Sequence, residues 1–268
     1  MYHALGNARG ECEGAEPPYV ISSRQFESHL ALLAEQGLRA RSVAQLLAAP
    51  ADRVRTVAFT FDDGHRSNAV AAERIASGGG SADFFINSSR VGKIHNLGWC
   101  DLRVMADAGM SIQSHGLDHR YLDEMTPAEI VAQVADSKKA IEDKLGRPVT
   151  LFAPPGGRVV PQLRQVAARA GYSAVCSSRV GLWRTDARAW DVPRLAVLQS
   201  TSDAQLARWL QQVWWEIATC QTRYLALASA KRVLGNDRYE RLRGRLLSGG
   251  ACATAATQFL TELGPFFP

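Results

Sequence analysis

The chain has 268 residues, 46% hydrophobic and 21% charged, enough for one sizeable α/β domain with a small appendage. A net charge of +5 and a pI of about 9.1 come without any dense Lys/Arg block interleaved with aromatics, so they give no case for nucleic acid, and none is expected as a partner. Five scattered cysteines (Cys12, Cys100, Cys176, Cys220, Cys252) read as reduced thiols, not as a disulfide framework or zinc cluster.

The chain starts inside a strand at Met1-Tyr2-His3, so residues upstream of it are an open reading. Glu11, Glu13 and Glu16 stand where a signal peptide needs an apolar core, and the expectation is a cytoplasmic protein. Ser22/Ser23 cap a helix that carries Phe26, Leu30 and Leu33 and ends at Gly37. The β-branched and aromatic run Thr56–Phe61 predicts a buried strand, followed by a helix over 68–77, a Gly78-Gly79-Gly80-Ser81 turn and a strand over 82–86. That glycine run leads into a strand and does not open a helix, so it is a weak phosphate cradle. A helix over 99–108 and a strand over 110–114 come next. Thr126 and Glu129 form a capping box, Pro127 takes the first helical position and Gly146 ends the helix 127–145. Strands over 149–153 and 173–177 flank a helix over 159–170, and a last strand is predicted over 195–198.

This alternation implies parallel strands with covering helices. Beyond residue 203, Leu206, Trp209, Leu210, Val213 and Ile217 form an apolar helical stripe, followed by a basic segment from Lys231 to Arg245. The expected division is a barrel over 1–202 and a C-terminal helical extension over 203–268 packed on it. Polar and charged residues interrupt the stretch 205–230, so no transmembrane segment is expected, and peripheral membrane contact through the C-terminal helices stays open.

Two motifs carry the chemistry. Thr60-Phe61-Asp62-Asp63-Gly64 puts adjacent carboxylates at a strand end, and His115-Gly116-Leu117-Asp118-His119 puts two imidazoles just after another strand. Successive side chains on a strand point to opposite faces, so the two aspartates divide the work. Two anions this close call for a cation. One carboxylate with two histidines suffices to hold a zinc-like ion with an open position, leaving the other carboxylate as base. Taken alone, the histidine pair reads as solvated loop residues. Beside Asp-Asp-Gly at another strand end, it reads as a metal-assisted hydrolase.

The ordered motifs resemble those of the polysaccharide deacetylase family, the NodB-homology carbohydrate esterases. Thr60–Gly64 matches the first motif, Ser114–His119 the second with Gly116 in place of the usual hydroxyl residue, and Phe152-Ala153-Pro154-Pro155-Gly156-Gly157 resembles the third. The resemblance implies a distorted (β/α)7 barrel that removes N-acetyl groups from amino sugars. It implies Asp62 as general base and Asp63, His115 and His119 as ligands to one divalent ion, zinc or another first-row metal. It implies a backbone N–H near Gly156 to hold the oxyanion, with Pro155 beside it on the substrate side. The family's usual Arg is replaced by Ala153, and Arg158 or Arg194 is left to substitute or to face substrate. The fourth motif is only faintly present at Asp186, Trp190 and Asp191, and the family's late histidine is absent. Met1-Tyr2-His3 resembles a branch with an N-terminal Tyr-His, which makes His3 the expected general acid. His29 and His95 are expected in solvent, and His65 on a substrate-facing rim.

The leading expectation is a metal-dependent N-deacetylase of an amino-sugar glycan or glycan precursor. The alternatives are hydrolysis of another C–N bond, such as a formamide or cyclic amide, and a catalytically degenerate barrel that binds partners.

Overall fold

The computed structural model describes residues 1–7, 9–49, 55–183 and 190–234. Met1–Gln212 forms one compact unit, and a second begins at Val213. The first unit is built on a six-stranded parallel sheet ordered β10-β9-β8-β7-β6-β5. Its strands are β5 (Thr60–Phe61), β6 (Asp83–Ile86), β7 (Ser111–Ser114), β8 (Leu151–Phe152), β9 (Ala174–Cys176) and β10 (Asp191–Val192). Helices α3 (Asn68–Ser77), α4 (Trp99–Asp107), α5 (Pro127–Leu145) and α6 (Leu163–Arg169) connect successive strands, as parallel pairing requires. Two small parallel sheets accompany it: β1 (Ala4–Gly6) with β2 (Val20–Ser22), and β3 (Arg39–Arg41) with β4 (Thr56–Ala58). Helix α1 (Ser23–Glu35) follows β2, and α2 (Val43–Ala48) follows β3.

The N-terminal residues turn this sheet into a ring. Tyr2 bridges Phe61 in parallel, donating to Thr60 O at 2.8 Å and accepting from Asp62 N at 3.0 Å. On the other side the Met1 nitrogen donates to Leu195 O at 2.9 Å, and Met1 O accepts from Val197 N at 2.9 Å. Residues 1–2 therefore fill a seventh strand position, between β5 and the segment after β10, and the fold is the distorted barrel expected. The Tyr2 ring stacks on Phe61 at 5.2 Å and meets Phe26 and Phe59 edge-on or tilted. Its hydroxyl lies 3.2 Å from His29 Nδ1. His29 is therefore a buried core histidine on α1, not the solvated one expected; the tyrosine hydroxyl and the aromatic packing pull it inward.

The predicted helices form where their caps lie. Ser22 accepts from Gln25 N, Thr126 and Glu129 make the reciprocal box, and Gly146 takes a left-handed φ of 65°. Other boundaries shift. The run 56–61 breaks in two at Phe59: β4 pairs outward with β3, and β5 enters the ring. Helix α6 starts only at Leu163, after Pro161. The last strand lies at Asp191–Val192, and 195–198 instead pairs with Met1. The predicted apolar stripe is cut at Gln212, whose φ is 56°, into α7 (Asp203–Leu210) and α8 (Trp214–Leu234). The peripheral membrane contact left open from the sequence gains no support. No described helix is long and apolar enough to cross a membrane. Asp186, Cys252 and the basic segment beyond Leu234 lie outside the described residues.

Candidate active site

Parallel register aligns the strand ends. Phe61 pairs with Phe84, Ile86 with Ser114, Ser114 with Phe152, and Cys176 with Val192. Each strand stops on the same rim, so the residues just after it converge: Asp62 and Asp63, Asn87, His115, Ala153, Ser177 and Arg194. This is the carboxyl edge on which α/β folds place their chemistry.

Asp63, His115 and His119 each offer a ligand atom, and the three atoms lie within 4.8 Å of one another. Asp63 Oδ1 is 3.3 Å from His115 Nε2 and 3.1 Å from His119 Nε2. His115 Nδ1 sits 2.8 Å from Ala153 O, a pure acceptor, so Nδ1 carries the proton and Nε2 turns a lone pair toward the carboxylate. Asp63 Oδ1 is buried and has no hydrogen-bond partner among the described residues. Three converging lone pairs are mutually repulsive unless a cation stands between them. The donor set therefore fits a zinc-class ion, and a backbone carbonyl already orients the His115 ring. Asp63 and His119 both carry a left-handed φ, 71° and 69°, which is uncommon outside glycine and concentrates at functional sites.

Asp62 points the other way. Arg194 grips it with two bonds, Nη1 to Oδ1 at 2.7 Å and Nη2 to Oδ2 at 2.9 Å, with both side chains buried. Burial pushes the Asp62 carboxyl up, and Arg194, with His115 and His3, outweighs it, so the group is ionised at neutral pH. The guanidinium is itself aimed by Ser177 O, 3.0 Å from Nε.

The polysaccharide deacetylase family model matches residues 50–175, the span holding Asp62, Asp63, His115 and His119. Over that span, a little under half of its length, the chain resembles the polysaccharide deacetylases. It is 24% identical to YxkH of Bacillus subtilis, named as a polysaccharide deacetylase, over 80% of this chain and 75% of that one. It is 28% identical to a peptidoglycan-N-acetylglucosamine deacetylase of Bacillus cereus, over 52% of this chain and 62% of that protein. Among solved structures it resembles the Streptococcus pyogenes deacetylase PplD, with a TM-score of 0.70 and 22% identity. That match covers 78% of this chain and 95% of PplD.

Within this deacetylase barrel the other predicted residues fall out as follows. His3 follows the Tyr2 bridge; its ring packs on Tyr19 at 4.3 Å, and its buried Nδ1 has no partner among the described residues. Burial lowers its pKa, and the charges of Asp63 and Asp62 act in the opposite sense. His65 is corrected: it is 3% exposed, with Nδ1 2.8 Å from Ser67 Oγ and Nε2 2.8 Å from Glu13 O. Both ring nitrogens are occupied in tying the loop before β2 to the start of α3, and none is left for a rim role. His95 lies near Glu13, Nδ1 to Oε2 3.8 Å, and is only partly exposed. Arg194 is corrected from the substrate side to the Asp62 clamp. Arg158 is buried, stacks 3.5 Å from the Tyr121 ring centroid and pairs with Asp123 and Glu124. Its guanidinium braces the Tyr121 wall and is spread over three partners, so nothing directs it to substrate. Pro155 is buried, and Gly156 is exposed with φ 61°. A Cβ there would stand 2.6 Å from the Tyr121 ring, so only glycine fits beneath that wall.

Two supports escaped sequence reasoning. Asn87 Nδ2 donates to His115 O at 2.6 Å, and Gln133 on α5 bonds both Leu117 N and Asp118 Oδ1. No motif marks either residue. The only signal available was a buried amide on the apolar face of α5, next to Ile130 and Val134.

Proposed function

We propose that this protein is a metal-dependent N-deacetylase acting on an N-acetylated amino sugar within a glycan or glycan precursor. The observation that carries this reading is the division of labour at one rim. Asp63, His115 and His119 converge on an unpartnered carboxylate oxygen, while Asp62 is held ionised apart from them by Arg194. The match to the polysaccharide deacetylase model and the names of the relatives, one a peptidoglycan-N-acetylglucosamine deacetylase, favour the N-acetyl bond over other amides.

A zinc-class divalent ion held by Asp63, His115 and His119 would supply Lewis acidity for activating water and polarising an amide carbonyl. Asp62 takes the proton of the attacking water at a carboxylate oxygen; Arg194 fixes the orientation of that carboxylate and returns it to the anion after each turnover. The backbone N–H at Gly156, unencumbered by a side chain, meets the amide oxygen as negative charge develops. His3 delivers a proton to the departing sugar nitrogen, which is a poor leaving group without one. His3 directly follows Tyr2, whose carbonyl accepts from Asp62 N, and its buried Nδ1 has no partner among the described residues, which supports this role.

The test is mass spectrometry of acetylated amino-sugar oligomers incubated with zinc-loaded protein. Loss of one acetyl mass per residue is expected from the wild type and not from Asp62→Asn. Formamide or cyclic-amide cleavage with acetamides left intact would move the assignment to another C–N bond.

A further inference from the structure

We propose that Gln133 is a positioning residue for the metal-binding loop, occupying the place that a side chain at position 116 would take and holding His119 in register. This rests on the reading of Asp63, His115 and His119 as metal ligands.

The loop from His115 to His119 is held from two sides. Its carbonyls face the turn after β6: Asn87 Nδ2 reaches His115 O at 2.6 Å, Ser88 N reaches Gly116 O at 3.2 Å, and Ser89 N reaches Leu117 O at 2.9 Å. On the opposite side the Gln133 amide spans two successive residues. Oε1 accepts from Leu117 N at 2.7 Å, and Nε2 donates to Asp118 Oδ1 at 2.8 Å. One side chain therefore sets both the backbone of residue 117 and the side chain of residue 118, immediately before the His119 ligand. Gln133 is 4% exposed, so both bonds form where an unpaired donor or acceptor is costly.

Gly116 explains why the brace comes from a helix. Its φ is +82°, and a Cβ on it would stand 2.9 Å from Gln133 Oε1, too close to stay without displacing the amide. The space a residue-116 side chain would use is thus taken by Gln133. The glycine and the glutamine form one unit: neither works with the other replaced by an ordinary residue. His119 needs this support because its φ of 69° is unfavourable for a residue with a Cβ and must be imposed by its neighbours.

The experiment measures zinc affinity by chelator competition and amide exchange at Leu117 in the full chain. Gln133→Met keeps the volume and loses both bonds. Zinc affinity is expected to fall about ten- to hundredfold, the usual effect of losing a ligand-orienting partner. The Leu117 amide should exchange at least about tenfold faster even without zinc. Gln133→Glu, which retains the oxygen facing Leu117 N, should keep that amide protected. Gly116→Ala should also weaken zinc binding, because a Cβ at φ +82° is strained and stands against Gln133 Oε1. Wild-type affinity and wild-type Leu117 exchange in Gln133→Met would overturn the proposal. A wild-type protein that takes up no zinc would overturn the metal reading itself. If Gln133→Met lowers thermal stability, Leu117 exchange compared with an amide on β9 separates local loosening from global unfolding.

Discussion

Asp62 and Asp63 are neighbours in the chain with opposite environments, and the difference is what a hydrolytic pair needs. Asp63 faces imidazole lone pairs, whereas Asp62 faces a guanidinium. Asp62→Asn should bind zinc as the wild type does and lose most turnover; simultaneous metal analysis and deacetylation assays check this. Arg194→Met removes the cation that opposes burial at Asp62, so the carboxyl rises from its depressed position. The acidic limb of the kcat/KM profile should therefore move to higher pH. The fold should also lose about 3 kcal/mol or more, the usual result of leaving one member of a buried ion pair alone. An unmoved acidic limb would detach Arg194 from the base. The histidines separate by the same logic. His3→Ala should keep zinc and thermal stability and lose turnover, whereas His65→Ala should lower the melting temperature, since it strands Glu13 O and Ser67. A His3→Ala enzyme at full rate ends the general-acid assignment.

At the scale of elements, α2 begins on a buried carboxylate. Asp83 on β6 accepts from Val43 N at 2.5 Å and Ala44 N at 3.4 Å. Burial nevertheless pushes its pKa up to about 7, against the opposing effects of Ser111, the two N–H groups and Arg194. Because the folded pKa lies above the unfolded one near 3.9, the native state holds this proton more tightly. Its contribution to stability is fully present below about pH 4 and is lost as pH rises through 7. Asp83→Asn, which keeps one acceptor for the helix start, should flatten that part of a denaturant-midpoint against pH curve. The elements themselves were largely legible. Caps at Ser22 and Thr126, glycines at 37 and 146, and β-branched runs each encode a local boundary, and those boundaries appear where the residues stand. What was not legible is pairing across distance. Nothing local in Thr56–Phe61 says that its first half joins β3 and its second half the ring. The grouping of Asp63, His115 and His119, with Asp62 next to them in the chain, was readable because their motifs are contiguous. The choice of Arg194 over Arg158, the role of Gln133 and the buried state of His29 and His65 were not, because each is defined by a partner far along the chain.

For the barrel as a whole, Met1 and Tyr2 are the closing strand, and two site residues hang from their hydrogen bonds. Asp62 N bonds Tyr2 O, and His3 is the next residue. Tyr2→Ala should cost about 3–5 kcal/mol as a buried aromatic truncation, measured by denaturant unfolding. It should lower activity more than that stability loss alone explains under conditions where the variant is fully folded. A variant that unfolds easily yet turns over normally when folded would show that closure serves stability only.

The guanidinium that holds the base enters the rim from the chain after β10, outside the span 50–175 that identifies the family, while Ala153 stands silent in the slot where the motif carries arginine. A reader scoring this chain motif by motif would count a broken catalytic set and infer a dead enzyme. Space, not sequence order, decides that question. A charge delivered to the same two carboxylate oxygens from another strand completes the same circuit. An arginine at position 153 and the arginine at position 194 are then alternative wirings, and an Ala153→Arg change made on top of Arg194 would crowd two cations onto one carboxylate instead of repairing anything.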